Sequence, residues 1–284
     1  MRLKREWVGY SLTAPAFVWL CLTIVLPLAV MLYFSFLSAM PMGMAKPTLT
    51  LGQYQTFFEK DFYRFLTWRS ITLGLYVTLT CVVVGYPAAL ILARLVKGRW
   101  REAVLLLVVL PFWSNALIRV FAWTMVLRTN GIIDQAVQLI APSLSLGILY
   151  SYPAIVIGLV HSFVPYMILT CYISLQAIDD SLIEAGQALG ATNFTIFRRI
   201  ILPLSLPGLC VGIVLTFVPV VGSFMEPRIL GGPQGIMLGT VIEDQFTEVF
   251  NWPLGAALSF TLLALVAVIF LVTSPLLRRG FRTA

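Results

Sequence analysis

The chain of 284 residues is 60% hydrophobic and only 11% charged, with a mean hydropathy of +0.94. A soluble globular domain carries about 25% charged residues, so a water-soluble fold is excluded. The net charge of +7 comes without a long basic run, so it does not read as nucleic-acid binding.

Crossing a bilayer takes about 20 apolar residues. Six runs meet that length: 10–36, 70–93, 104–127, 153–175, 204–225 and 255–277. They are continuous, unlike the alternating strands of a membrane β-barrel. The predicted fold is an all-α polytopic membrane protein, one transmembrane domain over 1–284. In chain order, MRLKR opens the first run as it would a signal peptide. No charge appears from Trp7 to Ala45, far beyond a cleavable segment, so the run reads as a retained helix. An outer loop follows, with a short helix near Gln53 to Phe58. Residues 94–102 form a tight basic inner turn. The outer stretch Ile132 to Ile140 reads as a surface helix closed by Pro142. A polar inner loop, 178–203, precedes the fifth run. Gly231, Gly232 and Pro233 mark an outer turn, and Ile236 to Phe250 has helical periodicity.

Lys and Arg set the orientation. With the N-terminus inside, twelve fall on inner segments (Arg2, Lys4, Arg5, Arg94, Lys97, Arg99, Arg101, Arg198, Arg199, Arg278, Arg279, Arg282). Six fall outside: Lys46, Lys60, Arg64, Arg69, Arg128 and Arg228. The bias predicts both termini in the cytoplasm. Cys21, Cys81, Cys171 and Cys210 all lie in predicted spans and read as small packing residues. Prolines lie in or beside the spans at Pro27, Pro87, Pro111, Pro165, Pro207 and Pro219, where membrane helices tolerate them.

The loop IDDSLIEAGQALGATNFTIFRRIILP carries the most specific signal. Ser181 and Glu184 have capping-box spacing for a helix starting at Leu182. Gly190 is placed to end that helix with positive φ. Thr192 is placed to cap a second segment running towards Ile201, and Pro203 marks re-entry into the membrane. Leu182, Ala185 and Leu189 share one face, and Phe194 and Phe197 share another. An apolar stripe on a cytoplasmic helix calls for a partner's groove.

The loop resembles the cytoplasmic coupling motif of ATP-binding-cassette (ABC) import permeases, E-A-A, three residues, G, nine residues, I-x-L-P. Glu184, Ala185, Gly190, Ile200, Leu202 and Pro203 match, and Gly186 replaces the second alanine. Leu110–Asp134, the stretch VGSFMEPRILGGPQGIMLGTVIEDQF and NWPLGAALS are similar to the spermidine/putrescine branch of these permeases, which also holds importers of opines and other small nitrogenous solutes. The resemblance implies a type I permease fold in a bacterial inner membrane. It further implies a homodimeric ABC ATPase carrying ATP and Mg, a second similar permease and a periplasmic solute-binding protein. This chain would then be no enzyme and bind no cofactor. The match departs at Ser223 and Arg228, where polyamine permeases often carry acids. That departure leaves an opine or other anionic or zwitterionic amine open as the substrate.

The residues themselves point to an imported energy source. Ion-coupled transporters need ionisable groups inside the membrane. Arg119 and His161 alone lie within the spans, setting Cys and Tyr aside, and no Asp or Glu lies deep there. No lysine stands in a Gly-Lys-Ser/Thr phosphate loop, and one histidine cannot build a zinc cluster. An ion-coupled transporter and a membrane scaffold stay open as lesser alternatives. Trp113, Asn115, Arg119, His161, Ser223 and Glu226 are the candidate translocation-pathway residues. Arg119 and Glu226 are expected to face each other in the outer half of the bundle. The alternatives are that Arg119 reaches lipid headgroups or an anionic group of the substrate.

Overall fold

In a computed structural model, residues 13–40, 46–141 and 146–282 are described, with 273–282 described by backbone alone. Pro142, placed above at a helix end, and residues 10–12 of the first run lie outside them. The described residues are 82% helical, with no strand among them. The helices are α1 (Thr13–Ser35), α2 (Gly52–Glu59), α3 (Asp61–Arg94), α4 (Arg99–Val109), α5 (Ala116–Leu127), α6 (Ile132–Ile140), α7 (Tyr152–Gln176), α8 (Asp180–Ala188), α9 (Asn193–Val221), α10 (Met225–Gly231), α11 (Leu238–Thr247) and α12 (Trp252–Arg282).

The third passage differs from an unbroken 104–127 helix. Pro111 has no N–H to donate, and the chain tightens into a 3₁₀ turn at Leu110–Trp113. Ser114 and Asn115 are then extended. The Ser114 hydroxyl donates to Pro111 O at 2.7 Å, and Asn115 Oδ1 accepts from Leu117 N at 2.8 Å, starting α5 afresh. By length and hydropathy 116–140 also qualifies as a crossing, but Asn130 is left-handed (φ +59°) and turns the chain before α6.

Two prolines sit just after π turns: Pro27 after Cys21–Val25 in α1, and Pro203 after Phe197–Ile201 in α9. The wider turn lets the helix pass a residue that cannot donate. Pro87, Pro165, Pro207 and Pro219 stay inside continuous helices.

The chain forms two compact units. Of the described residues, one holds those up to Arg64 with Ile242–Ala264, and the other holds those from Phe65 to Val241 with those from Leu265 onward. In the first unit, Tyr54 Oη donates to Ser35 Oγ at 2.8 Å, and the Phe34 and Trp252 rings meet edge to face at 6.0 Å. Most side chains of α1 are exposed.

The second unit is built around α3, α7 and α9. Leu73, Val77, Cys81 and Ala89 of α3 pack with Ile155, Leu159, Met167 and Cys171 of α7. Cys81, Cys171 and Cys210 are buried free thiols, as packing residues would be. The Tyr86 and Ser205 hydroxyls share a buried hydrogen bond of 2.7 Å. Small residues let α7 and α9 approach closely, as membrane helices do without a hydrophobic driving force. A Cβ on Gly208 would lie 2.4 Å from Ser174 Cβ and 2.4 Å from the Thr170 carbonyl oxygen. The obstacle is partly backbone, so it cannot rotate aside. Gly208→Val is expected to destabilise by about 1–3 kcal/mol, the usual cost of overpacking. A lowered thermal midpoint in detergent checks it, with Val211→Leu on the exposed face of α9 leaving the midpoint unchanged.

Candidate functional site

Two sites stand out in the second unit. The first is the loop 178–203. Three acidic or hydroxyl residues in a row, Asp179, Asp180 and Ser181, compete to start α8. Asp179 wins, its Oδ1 accepting from Ser181 N at 2.9 Å. The helix therefore starts at Asp180, earlier than the Ser181 and Glu184 capping box predicts. Glu184 sits exposed and takes no part in the cap. The earlier start is favoured because Asp180 then adds a second negative charge beside the positive end of the helix dipole.

The Ser181 N–H holds the Asp179 carboxyl below its ordinary value of 3.8. A lowered carboxylate pKa stabilises the fold above the unfolded value and stops doing so as pH falls through the folded one. The cap is therefore complete above the ordinary carboxylate range and is lost only as acid carries the pH below it. The protection of the Ser181 amide against exchange, relative to an unfolded peptide at the same pH, is expected to be unaffected by Asp179 titration between about pH 6 and 8 and to fall below about pH 4.

Gly190 ends α8 with φ +77°. Its N–H donates to Gln187 O at 2.9 Å, while Ala191 N donates to Gly186 O at 3.0 Å, the paired bonds of a Schellman stop. Thr192 Oγ1 then accepts from Thr195 N at 3.3 Å and opens α9. Gly186 is buried: a Cβ there would meet Ile200 Cδ1 at 3.2 Å and Ile196 Cγ1 at 3.3 Å. Its replacement of alanine thus serves close packing of α8 on α9.

Packing keeps the first predicted face intact and splits the second. Leu182 and Ala185 are exposed, Leu189 is 88% exposed and Phe194 is 70% exposed. Phe197 turns inward, edge to face with Tyr86 at 6.3 Å. It does not share Phe194's surface: residues three apart on a helix differ by about 60° in direction, enough for one ring to face out while the other packs on Tyr86. Ser181 lies at the exposed start of α8, and Pro203 beyond the π turn.

The second site is a cavity of about 320 Å³. It is walled by the α4–α5 break, α7 and the corner between α9 and α10. Its polar groups come from Arg119, Ser162, Tyr166, Ser223 and Glu226, and its apolar wall includes Phe112, Phe163, Phe224 and Met225. Glu226 is 8% exposed, and its carboxylate accepts from Ser223 at 2.9 Å and Ser162 at 3.3 Å. Arg119 Nη1 donates to Pro111 O at 3.0 Å. Among the described residues no ion pair joins Arg119 to Glu226. The expectation of a direct pair is corrected to two opposite charges lining one cavity from different helices. Each has a nearer partner: the carboxylate takes two hydroxyls, and the guanidinium takes a carbonyl at the Pro111 break.

Arg119, Ser223 and Glu226 are thus brought together. The other three predicted pathway residues are not part of the cavity lining. Trp113 is 85% exposed, Asn115 is spent capping α5, and His161 stacks on Trp123 at 5.4 Å. Reasoning from sequence missed Ser162, Tyr166 and Phe112. Only Phe112 had a signal, its place beside Pro111; Ser162 and Tyr166 lie one turn apart in α7, with nothing local to mark them.

The family model for binding-protein-dependent transport system inner membrane components matches residues 85–279. The chain belongs to that family. This permease is 34% identical over 257 residues to the spermidine/putrescine transport system permease protein PotB of Haemophilus influenzae, covering 90% of this chain and 89% of that protein. It is 34% identical over 255 residues to PotB of Escherichia coli K12, covering 89% and 92%. Its fold is that of a bacterial ABC transporter involved in the import of the acidic polysaccharide alginate, with TM-score 0.76, 19% identity, and 98% and 97% of the two chains covered. The permease is thus a transmembrane subunit of a binding-protein-dependent ABC importer, a multi-pass inner-membrane protein and not an enzyme; the ATPase is a separate subunit.

Proposed function

We propose that this permease carries a small nitrogenous solute, polyamine-like in chemistry, with both termini in the cytoplasm. A homodimeric ATPase binding ATP and Mg docks on the loop 178–203. A second, similar permease completes the pathway, and a periplasmic binding protein delivers the solute. The permease itself binds no cofactor.

The observation that carries this reading is the exposed apolar set Leu182, Leu189 and Phe194, held on a loop capped at each turn. Such side chains on a water-facing loop need a partner's groove. Identity to the PotB proteins supports the polyamine-like solute. The cavity favours a second reading, a solute that also carries an anionic group, because Arg119 lines the same cavity as Glu226.

The test is uptake of labelled putrescine into proteoliposomes holding both permeases and the ATPase, with ATP inside and binding protein outside. Uptake that needs every component supports the proposal. Uptake without ATP or without the second permease overturns the corresponding part. Competition by excess octopine but not by spermidine selects the second reading.

A further inference from the structure

At the inner corner of the second unit one side chain holds three elements. Arg94 is the last residue of α3. Its Nη2 donates to Leu175 O at 3.0 Å and to Ile178 O at 3.1 Å, and its Nη1 pairs with Asp180. Leu175 is in the last turn of α7, where carbonyls lack donors within the helix. Ile178 lies in the connection, and Asp180 opens α8. One guanidinium therefore clamps the corner through which α7 becomes α8. The arginine side chain is 18% exposed, whereas Asp180 is 81% exposed. Its backbone neighbours are fixed too: Leu92, Ala93, Leu175 and Ile178 are all buried in one cluster.

The same α7 carries Ser162, Phe163 and Tyr166 of the cavity wall. A push on α8 reaches the cavity through this corner only if the corner is stiff. We propose that Arg94 is a positioning residue for coupling, locking α8 to α7 so that displacement of the loop by the ATPase moves the cavity wall. This rests on the reading of 178–203 as the docking loop.

The planar fork of arginine serves two carbonyls and a carboxylate together, which a single ammonium cannot reproduce. Arg94→Lys keeps the charge and should break the clamp. Asp180 is the one α8 residue that the fork reaches, and its carboxylate is exposed, so Asp180→Asn should loosen the clamp only partly.

The experiment uses the assembled transporter in nanodiscs with its binding protein. Ala116→Cys, at the exposed cavity rim, reports the state of the wall by its rate of reaction with a water-soluble maleimide. Transporter lacking that cysteine gives the background. Rates are compared with and without MgATP and vanadate, and trapped nucleotide is measured separately. Coupling between distant sites typically amounts to about 5- to 150-fold, so the wild-type rate should change by at least about fivefold on trapping. In Arg94→Lys and Arg94→Gln that change should vanish while nucleotide is still trapped and the complex stays assembled. Asp180→Asn should reduce it without abolishing it. The proposal is overturned if the Arg94 variants respond like wild type, or if they lose assembly and nucleotide trapping in step with the response. A flat response in the wild-type transporter would instead remove the docking-loop reading, and this proposal with it.

Discussion

Replacing Gly190 with valine is expected to abolish ATP-driven transport while leaving the permease inserted in the membrane. At φ +77° an L side chain meets its own backbone, which costs about 1–2 kcal/mol, and a β-branched one fits worst. Nothing else lies within 4 Å of a Cβ placed there, so the penalty is backbone strain and not collision. The chain relieves it by rotating out of the left-handed region, which breaks the two bonds that stop α8. The exposed residues Leu189 and Phe194, on either side of the stop, then lose their relative placement. Asparagine tolerates the left-handed conformation, so Gly190→Asn should keep most activity. ATPase stimulation by loaded binding protein, measured beside uptake, checks both variants. Normal stimulation in Gly190→Val would contradict the account.

Glu226→Ala is expected to lower uptake by at least about tenfold, equivalent to about 1.4 kcal/mol. The carboxylate accepts from Ser162 of α7 and from Ser223 at the end of α9, so it ties two walls of the cavity together. Hydrogen bonds to a charged group are each worth about 1.5–3 kcal/mol, and the two hydroxyls would lose their acceptor together. Glu226→Gln keeps an acceptor oxygen and should be milder. Exchanging the charges, Arg119→Glu with Glu226→Arg, should give no rescue, because the two groups are not paired and Ser162 and Ser223 would then face a guanidinium. Recovery of uptake in that double variant would reinstate a direct pair.

Local chemistry was legible in the residues. Gly190 and Thr192 act through their own backbone and nearest neighbours, so their stop and cap could be placed without a tertiary structure. Asp179 was harder because three adjacent residues could each have capped α8, and the outcome depends on small electrostatic differences between them. Phe197 was misplaced because positions three apart on a helix are about 60° apart, and tertiary packing against Tyr86 decides which of the two rings is covered. The break at Pro111 shows the limit of hydropathy: α4 and α5 are both apolar, and the signs of a restart, Pro111 followed by Ser114 and Asn115, concern hydrogen bonding. Arg119 and Glu226 could be matched in depth from topology. Their separate partners could not, since Ser162 arrives from a helix distant in sequence.

The central claim is that the exposed apolar residues of the loop 178–203 seat the ATPase. A photo-crosslinking amino acid at Leu189, which is 88% exposed at the end of α8, tests it most directly in cells expressing the whole transporter. The account predicts an adduct containing this permease and the ATPase subunit. Adducts only with lipid or unrelated proteins, or none at all in a transporter that still imports, would contradict it.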